Sequence, residues 1–160
     1  MKVRRKYESG TASCFWRWTD VVFEGWTYLV RLHVVKLEWL ARRQPVGCSP
    51  IPAPVKRGAA VMLHWFHGAD PQPDPHDHPV SFLSIVLRGG YVEWRPGNPR
   101  HRVRWFNFLR ATDVHRILEV EPGTVTLVFS GPKVREWGFW TPTGWVGWRE
   151  YNGGGGPKRQ

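Results

Sequence analysis

From residue 59 onward the chain is a series of short runs in which apolar and polar residues alternate, separated by clusters of Pro, Gly and Asp. Alternation with a period of two puts successive side chains on opposite faces of a strand, whereas a helix repeats at about 3.6 residues. Ala59–His67 reads as a strand with Met62, His64 and Phe66 on one face. Further strand-like runs fall near 80–88, 90–95, 102–109 and 114–120, and Gly89-Gly90 between two of them signals a hairpin. Glu121-Pro122-Gly123 predicts a turn, Thr124–Ser130 an apolar strand, and Gly131-Pro132 its end. Arg135–Thr141 and Trp145–Tyr151 predict a last hairpin across Pro142-Thr143-Gly144. Upstream the pattern is divided. Trp26, Leu29, His33, Leu37 and Leu40 have helical spacing, while Tyr28, Val30, Leu32 and Val34 alternate. The β-branched residues favour a strand over Tyr28–Leu37, with a short helix before or after it. Prolines at 45, 50, 52 and 54 make residues 44–57 a loop, and Gly68–Pro75 is a second one.

Many short strands with turns every eight to twelve residues predict an all-β sandwich or barrel, and among these a jelly roll. At 160 residues the chain has the size of a single domain. The expected organisation is an N-terminal extension over 1–20, loosely ordered, a domain over 21–151 and a disordered Gly-rich tail over 152–160. No internal repeat is present. The 41% hydrophobic content with 11 Trp excludes a disordered chain. A formal net charge of +10 favours a small anionic or nucleotide-like substrate; the basic residues are dispersed, so nucleic acid is a less favoured partner. Cys14 and Cys48 have no metal-type spacing, which suits a reducing, cytoplasmic setting. No run approaches 18 uncharged apolar residues, and the basic start lacks an apolar signal core, so neither a membrane helix nor a signal peptide is expected.

The chemistry concentrates at Asp74-Pro75-His76-Asp77-His78-Pro79. Residues i and i+2 of a strand share a face, about 6.6–7 Å apart, so His76 and His78 can converge on one ion. His115, on a later strand-like run, is the candidate third ligand. Imidazole suits iron, nickel, copper and zinc alike, so these residues do not choose the metal. Asp77 should face away from the ion and hydrogen-bond locally. Glu93 and Glu136 are candidate catalytic carboxylates, each with an Arg ion pair as the alternative role. His64, Arg88 and Arg135 are candidate substrate-binding residues, the arginines as clamps for a carboxylate or phosphate. No phosphate loop, dinucleotide fingerprint or nucleophile elbow is present.

The order of strand, His-x-His, apolar strand, Gly turn, strand and later His resembles the cupin superfamily over residues 60–130. His76 and His78 match the first cupin motif, and Gly89 its glycine, while Phe82 stands where the acidic ligand would be. His115 matches the histidine of the second motif; Arg110, Thr112 and Glu119 replace its usual Pro, Gly and Asn. A closer likeness is to small cupin-like proteins of bacteriophages and bacteria. It is carried by Leu63-His64-Trp65-Phe66, Asp74–Pro79, Leu87–Glu93 and Gly131–Trp140. The resemblance implies a cupin-type jelly-roll β-barrel. A three-His centre without the acidic ligand is similar to the ferrous thiol and diketone dioxygenases, which implies oxygenase-like chemistry and favours Fe2+ as the divalent ion, with Ni2+, Zn2+ and Mn2+ as alternatives. The alternatives are a non-catalytic phage accessory module that binds a ligand or protein, and a metal-free sugar epimerase or isomerase. By the same analogy a homodimer is expected.

Overall fold

The computed structural model describes residues 2–5, 17–23, 26–37 and 58–152. Twelve strands and one short helix account for the regular structure of the described residues. The strands are β1 (Lys2–Arg5), β2 (Arg17–Phe23), β3 (Trp26–Leu37), β4 (Ala59–Phe66), β5 (Phe82–Arg88) and β6 (Tyr91–Arg95). They continue with β7 (Asn98–Val103), β8 (Phe106–Leu109), β9 (Arg116–Val120), β10 (Val125–Ser130), β11 (Gly138–Thr141) and β12 (Gly144–Gly147). Helix α1 is Trp148–Tyr151.

All pairings are antiparallel, in a seven-stranded sheet β1-β2-β3-β4-β10-β5-β8, a three-stranded sheet β7-β6-β9 and the hairpin β11-β12. The segment at His76 joins the second group through single bridges to His115, just before β9, and to Phe139 of β11. Counting that segment as a strand, the eight units from β4 to β10 pass back and forth between two sheets, with only β6 and β7 consecutive in one, in the order of a double Greek key. The all-β jelly-roll expectation therefore holds.

The strands at Tyr28–Leu37, Ala59–His67, 80–88, 90–95, 114–120 and Thr124–Ser130 are found with small shifts of their ends. Other expectations are corrected. Gly89-Gly90 does not close a hairpin, because β5 and β6 lie in different sheets. Gly89 has φ +72°, and a Cβ on it would come 2.4 Å from Thr124 Oγ1. Residue 89 therefore needs glycine to turn the corner between sheets. The run 102–109 is two strands, β7 and β8, broken at Arg104-Trp105. No helix flanks β3 among the described residues; β2 pairs with it instead. The front of the chain holds β1 and the start of β2, so it is not wholly loose. The last hairpin is shorter than expected, and its second arm ends in α1. Its crossing is tight, since a Cβ on Gly138 would lie 2.2 Å from the Val146 carbonyl. Cys14, Cys48, the 44–57 loop and residues 153–160 lie outside the described residues.

The interior has two unlike ends. One is apolar: Tyr91, Val103 and Ile117 are buried together, with Phe66, Val86 and Val120 packed on them. Phe66 stacks on Tyr91 at 5.8 Å between ring centroids. The other is polar. Buried there are Ser84 and Asn107, cross-strand partners on β5 and β8, Glu93 of β6, and His115 just before β9.

Candidate metal centre

Backbone pairing brings the three histidines together. His76 N–H donates to the His115 carbonyl at 2.9 Å, and His115 N–H returns the bond at 3.0 Å. His78, past the bridge, is pinned by its N–H to the Ala111 carbonyl at 3.2 Å. The three ring centroids are 4.9–5.0 Å apart. One ligand nitrogen from each of His76, His78 and His115 lies within 4.8 Å of the others, so the group could hold a metal ion. His78 Nε2 and His115 Nε2 are 2.7 Å apart, within hydrogen-bond distance. Two nitrogens at about 2.0–2.1 Å from one ion would stand roughly 2.9 Å apart at a right angle and about 3.4 Å apart at the tetrahedral angle. For this pair, seating an ion needs the rings to part by about 0.2–0.7 Å, with loss of the proton between them, while the widest nitrogen separation, up to 4.8 Å, has to close to about 4.2 Å or less.

The protonation states suit ligation. Burial pushes the His76 pKa down to about 4, with the Asp70 charge opposing and His115 adding. His78 is held well below the ordinary range, by burial first and then by the charges of His115, His76, Arg31 and His64. Both rings are neutral at pH 7 and carry a lone pair.

Glu93 lies behind His115. It is fully buried, and its Oε2 is 2.7 Å from His115 Nδ1. Arg95 Nε donates to Glu93 Oε1 at 2.6 Å, and Asn107 Nδ2 lies 3.1 and 3.2 Å from its two oxygens. Burial alone would raise the Glu93 pKa; hydrogen bonds and charge from His115 and Arg95 outweigh it and hold the carboxyl below its usual range. An ionised Glu93 keeps the proton on His115 Nδ1 and leaves Nε2 facing the other two rings. Asp70 plays a looser part at His76, with Oδ2 3.8 Å from Nδ1 and tied down by the Ile117 N–H at 2.7 Å.

Asp77 turns away from the three rings, as its place between two candidate ligands predicts. Fully buried, it accepts from Gly138 N–H at 2.8 Å, from Trp145 Nε1 at 3.0 Å and from Trp140 Nε1 at 3.3 Å. Arg135 Nη1 lies 2.9 Å from its Oδ2. The carboxylate thereby ties the His-bearing loop to the β11-β12 hairpin. Phe139 and Trp137 of that region flank His76 at 5.8 and 6.1 Å between centroids, while Phe82 meets His78 edge-on at 4.9 Å. Phe82 thus supplies an apolar wall beside His78.

The remaining candidates are placed differently. Arg135 is committed to Asp77 and, at 3.1 Å, to the Ala111 carbonyl, so it braces the loop. Glu136 pairs with Lys133 and, at 3.8 Å, with Arg149, apart from the three rings. Arg88 is exposed at the far end of β5 against Gly123, six residues and thus about 20 Å along the strand from Phe82. Glu93 backs a candidate ligand and is not one of the converging groups. His64 faces the interior and accepts from Arg31 Nε at 2.9 Å. Its pKa is lowered well below the ordinary value by burial and then by Arg31. Arg95, Asn107 and Arg31 escaped the sequence reading because only strand pairing brings them to the site, alternation around each being the available signal, while Asp70 lies in the Gly68–Pro75 loop and reaches His76 through its bonds with Ile117.

No family model and no curated protein matches this chain. Among solved structures, a Ralstonia eutropha protein provisionally assigned as a mannose-6-phosphate isomerase aligns at 20% identity with a TM-score of 0.43, over 57% of this chain and 97% of that one. Fe(II)-HppE with the alternative substrate (S)-1-HPP aligns at 11% identity with a TM-score of 0.47, over 80% of this chain and 63% of that one. No helix among the described residues is long and apolar enough to cross a membrane.

Proposed function

We propose that the protein is a metal-dependent enzyme of the cupin kind, binding one divalent ion, Fe2+ by preference, through His76, His78 and His115. The observation that carries this reading is the convergence of three imidazoles, two of them kept neutral by their surroundings, at one point of the interior. The donors fit an ion with open positions, because three nitrogen ligands fill only part of an octahedral or tetrahedral shell. When bound, a divalent ion supplies Lewis acidity and, as Fe2+, a redox centre for oxygen chemistry. Glu93, fixed by Arg95 and Asn107, holds the His115 tautomer that presents Nε2. Phe82, Trp137 and Phe139 narrow the space beside His76 and His78 and displace water from it. The substrate is a small anionic molecule, in keeping with the charge of +10.

The test is oxygen uptake by Fe2+-reconstituted protein against a panel of small carboxylic and phosphorylated acids. Substrate-dependent uptake that is lost in His115→Ala supports the reading. Turnover that survives chelation, as a sugar-isomerase role requires, contradicts it. So does retention of all activity in the His115→Ala variant.

A further inference from the structure

β7 and β8 follow one another in sequence but lie in different sheets, and across the corner at Arg104-Trp105 their alternation keeps its phase. Every even position from 100 to 110 is exposed: Arg100, Arg102, Arg104, Phe106, Phe108 and Arg110. Val103, Asn107 and Leu109 between them are buried. Phe106 is 70% exposed and Phe108 55%, and Trp105 at the corner reaches 80%. A single exposed ring needs no explanation, but three side by side on an edge strand mark an interaction surface.

Charge and spacing name the occupant. Glu119 pairs with Arg100 at 2.7 Å, and Glu121 is shared by Arg102 at 2.8 Å and Arg104 at 3.3 Å. Asp113 accepts the Arg110 backbone N–H at 2.8 Å, and the Arg110 guanidinium has no carboxylate partner among the described residues. Four guanidiniums thus face two paired carboxylates, and exposed pairs of this kind are weak enough to yield to phosphate oxygens. Arg104 and Arg110 bracket the rings, six residues or about 20 Å apart along the strand. Rings in line with cations, one side chain wide, suit a linear polyanion that carries rings of its own. A lipid surface is planar and calls for cations around an apolar patch, while a second copy of a chain charged +10 would set like charges against each other. Phe106 and Phe108 are about 6.6–7 Å apart along the strand, twice the 3.4 Å rise of a base in a duplex strand. A single strand can open its bases that far; a duplex cannot.

We propose that this stripe of β7 and β8 binds single-stranded nucleic acid irrespective of sequence. Phe106 and Phe108 each take the face of a base, Trp105 takes a third at the corner, and the arginines hold the phosphates on either side. Asn107, the one amide in the run, is turned inward to Tyr91 and Glu93 and cannot read base edges, so recognition is by charge and stacking. The stripe lies on the outside of the barrel and does not depend on the metal centre.

The test is the anisotropy of a fluorescein-labelled oligo(dT) of about a dozen nucleotides, titrated with the full chain between about 50 and 200 mM NaCl. Binding should fall with salt at a log–log slope of about −2 to −3 and be at least about tenfold tighter than that of a duplex of equal length. Phe106→Ala and Phe108→Ala should each weaken it by roughly 5- to 100-fold at unchanged slope, and Arg110→Gln should make the slope shallower by about 0.7. These side chains are exposed, so the thermal unfolding midpoint should stay where it is. Arg149→Gln, which removes an exposed arginine on α1, should leave affinity within about twofold. No binding at about 50 mM salt, duplex bound as tightly as oligo(dT), equal losses in the Arg149 and Arg110 variants, or unchanged affinity in both phenylalanine variants would each overturn the proposal. So would capture by phosphatidylserine vesicles, or a concentration-dependent dimer in light scattering, that disappears in the phenylalanine variants while oligo(dT) binding persists.

Discussion

The two ends of the jelly-roll interior are built from the same strands and serve opposite purposes. At one end Phe66, Val86, Tyr91, Val103, Ile117 and Val120 exclude water with side chains that need no partner. At the other, His76, His78, His115, Glu93 and Asn107 bury groups that each demand one. β6 spans the difference, with Tyr91 in the apolar plug and Glu93, two residues on, behind His115. The Tyr91 hydroxyl even accepts from Asn107 at 2.9 Å, so one tyrosine belongs to both ends. The contrast shows where stability and chemistry are divided. Apolar burial contributes about 25 cal/mol per Å² with no geometric demand, whereas a buried imidazole or carboxylate is a net cost unless its partners are in place.

Substitutions should separate the ends. The largest effect is expected for Glu93→Gln, which leaves Arg95 without its buried counter-ion and His115 without the carboxylate that sets its tautomer. Metal affinity should fall by about 10- to 100-fold and stability by about 3 kcal/mol, read by competition with a chelating dye and by urea unfolding. Ile117→Ala sharpens the comparison from the other side. It should cost about 2–4 kcal/mol in urea unfolding while leaving metal stoichiometry intact in the folded protein. If it abolished metal binding, the division between the ends would fail.

Acid should act on the polar end. His76 has a folded pKa near 4 against about 6.5 unfolded, and His78 and His64 shift in the same direction. Between those values the unfolded chain binds more protons, so stability is full above pH 6.5 and declines as pH falls towards 4. His76 alone should contribute a loss of up to about 3 kcal/mol in the metal-free protein. Chelator-treated protein unfolded in urea at a series of pH values checks this; a flat profile between pH 7 and 4.5 would contradict it. The smallest effect is expected at the exposed Arg100–Glu119 pair, where Glu119→Gln should change stability by less than about 1 kcal/mol and leave metal affinity unaltered.

Much of the strand layout was legible because alternation is a local signal and turns at Pro and Gly punctuate it. The three histidines were legible for a different reason: His76 and His78 by their spacing, His115 through the likeness to the second cupin motif. What escaped was topological. A Gly-Gly turn looks the same whether it closes a hairpin or carries the chain between sheets, so Gly89-Gly90 was read as the former. The run around Val103 is mostly basic and aromatic, and nothing local marks Arg104-Trp105 as the break between β7 and β8. Arg88 and Arg135 resemble each other as candidate clamps, yet only Arg135 is near the site, where Asp77 already engages it. Arg31 and Asn107 acquire their roles from partners 33 and 14 residues away in sequence, His64 and Glu93, which no local pattern announces.

The most direct test is the metal content of the purified chain, with X-ray absorption at the metal edge to read its neighbours. The account predicts about one divalent ion per chain, three imidazole nitrogens at about 2.0–2.2 Å, no sulfur ligand, and loss of the ion in His78→Ala. A chain that takes up no ion after reconstitution, or one whose ion survives removal of His76, His78 and His115 together, would contradict it.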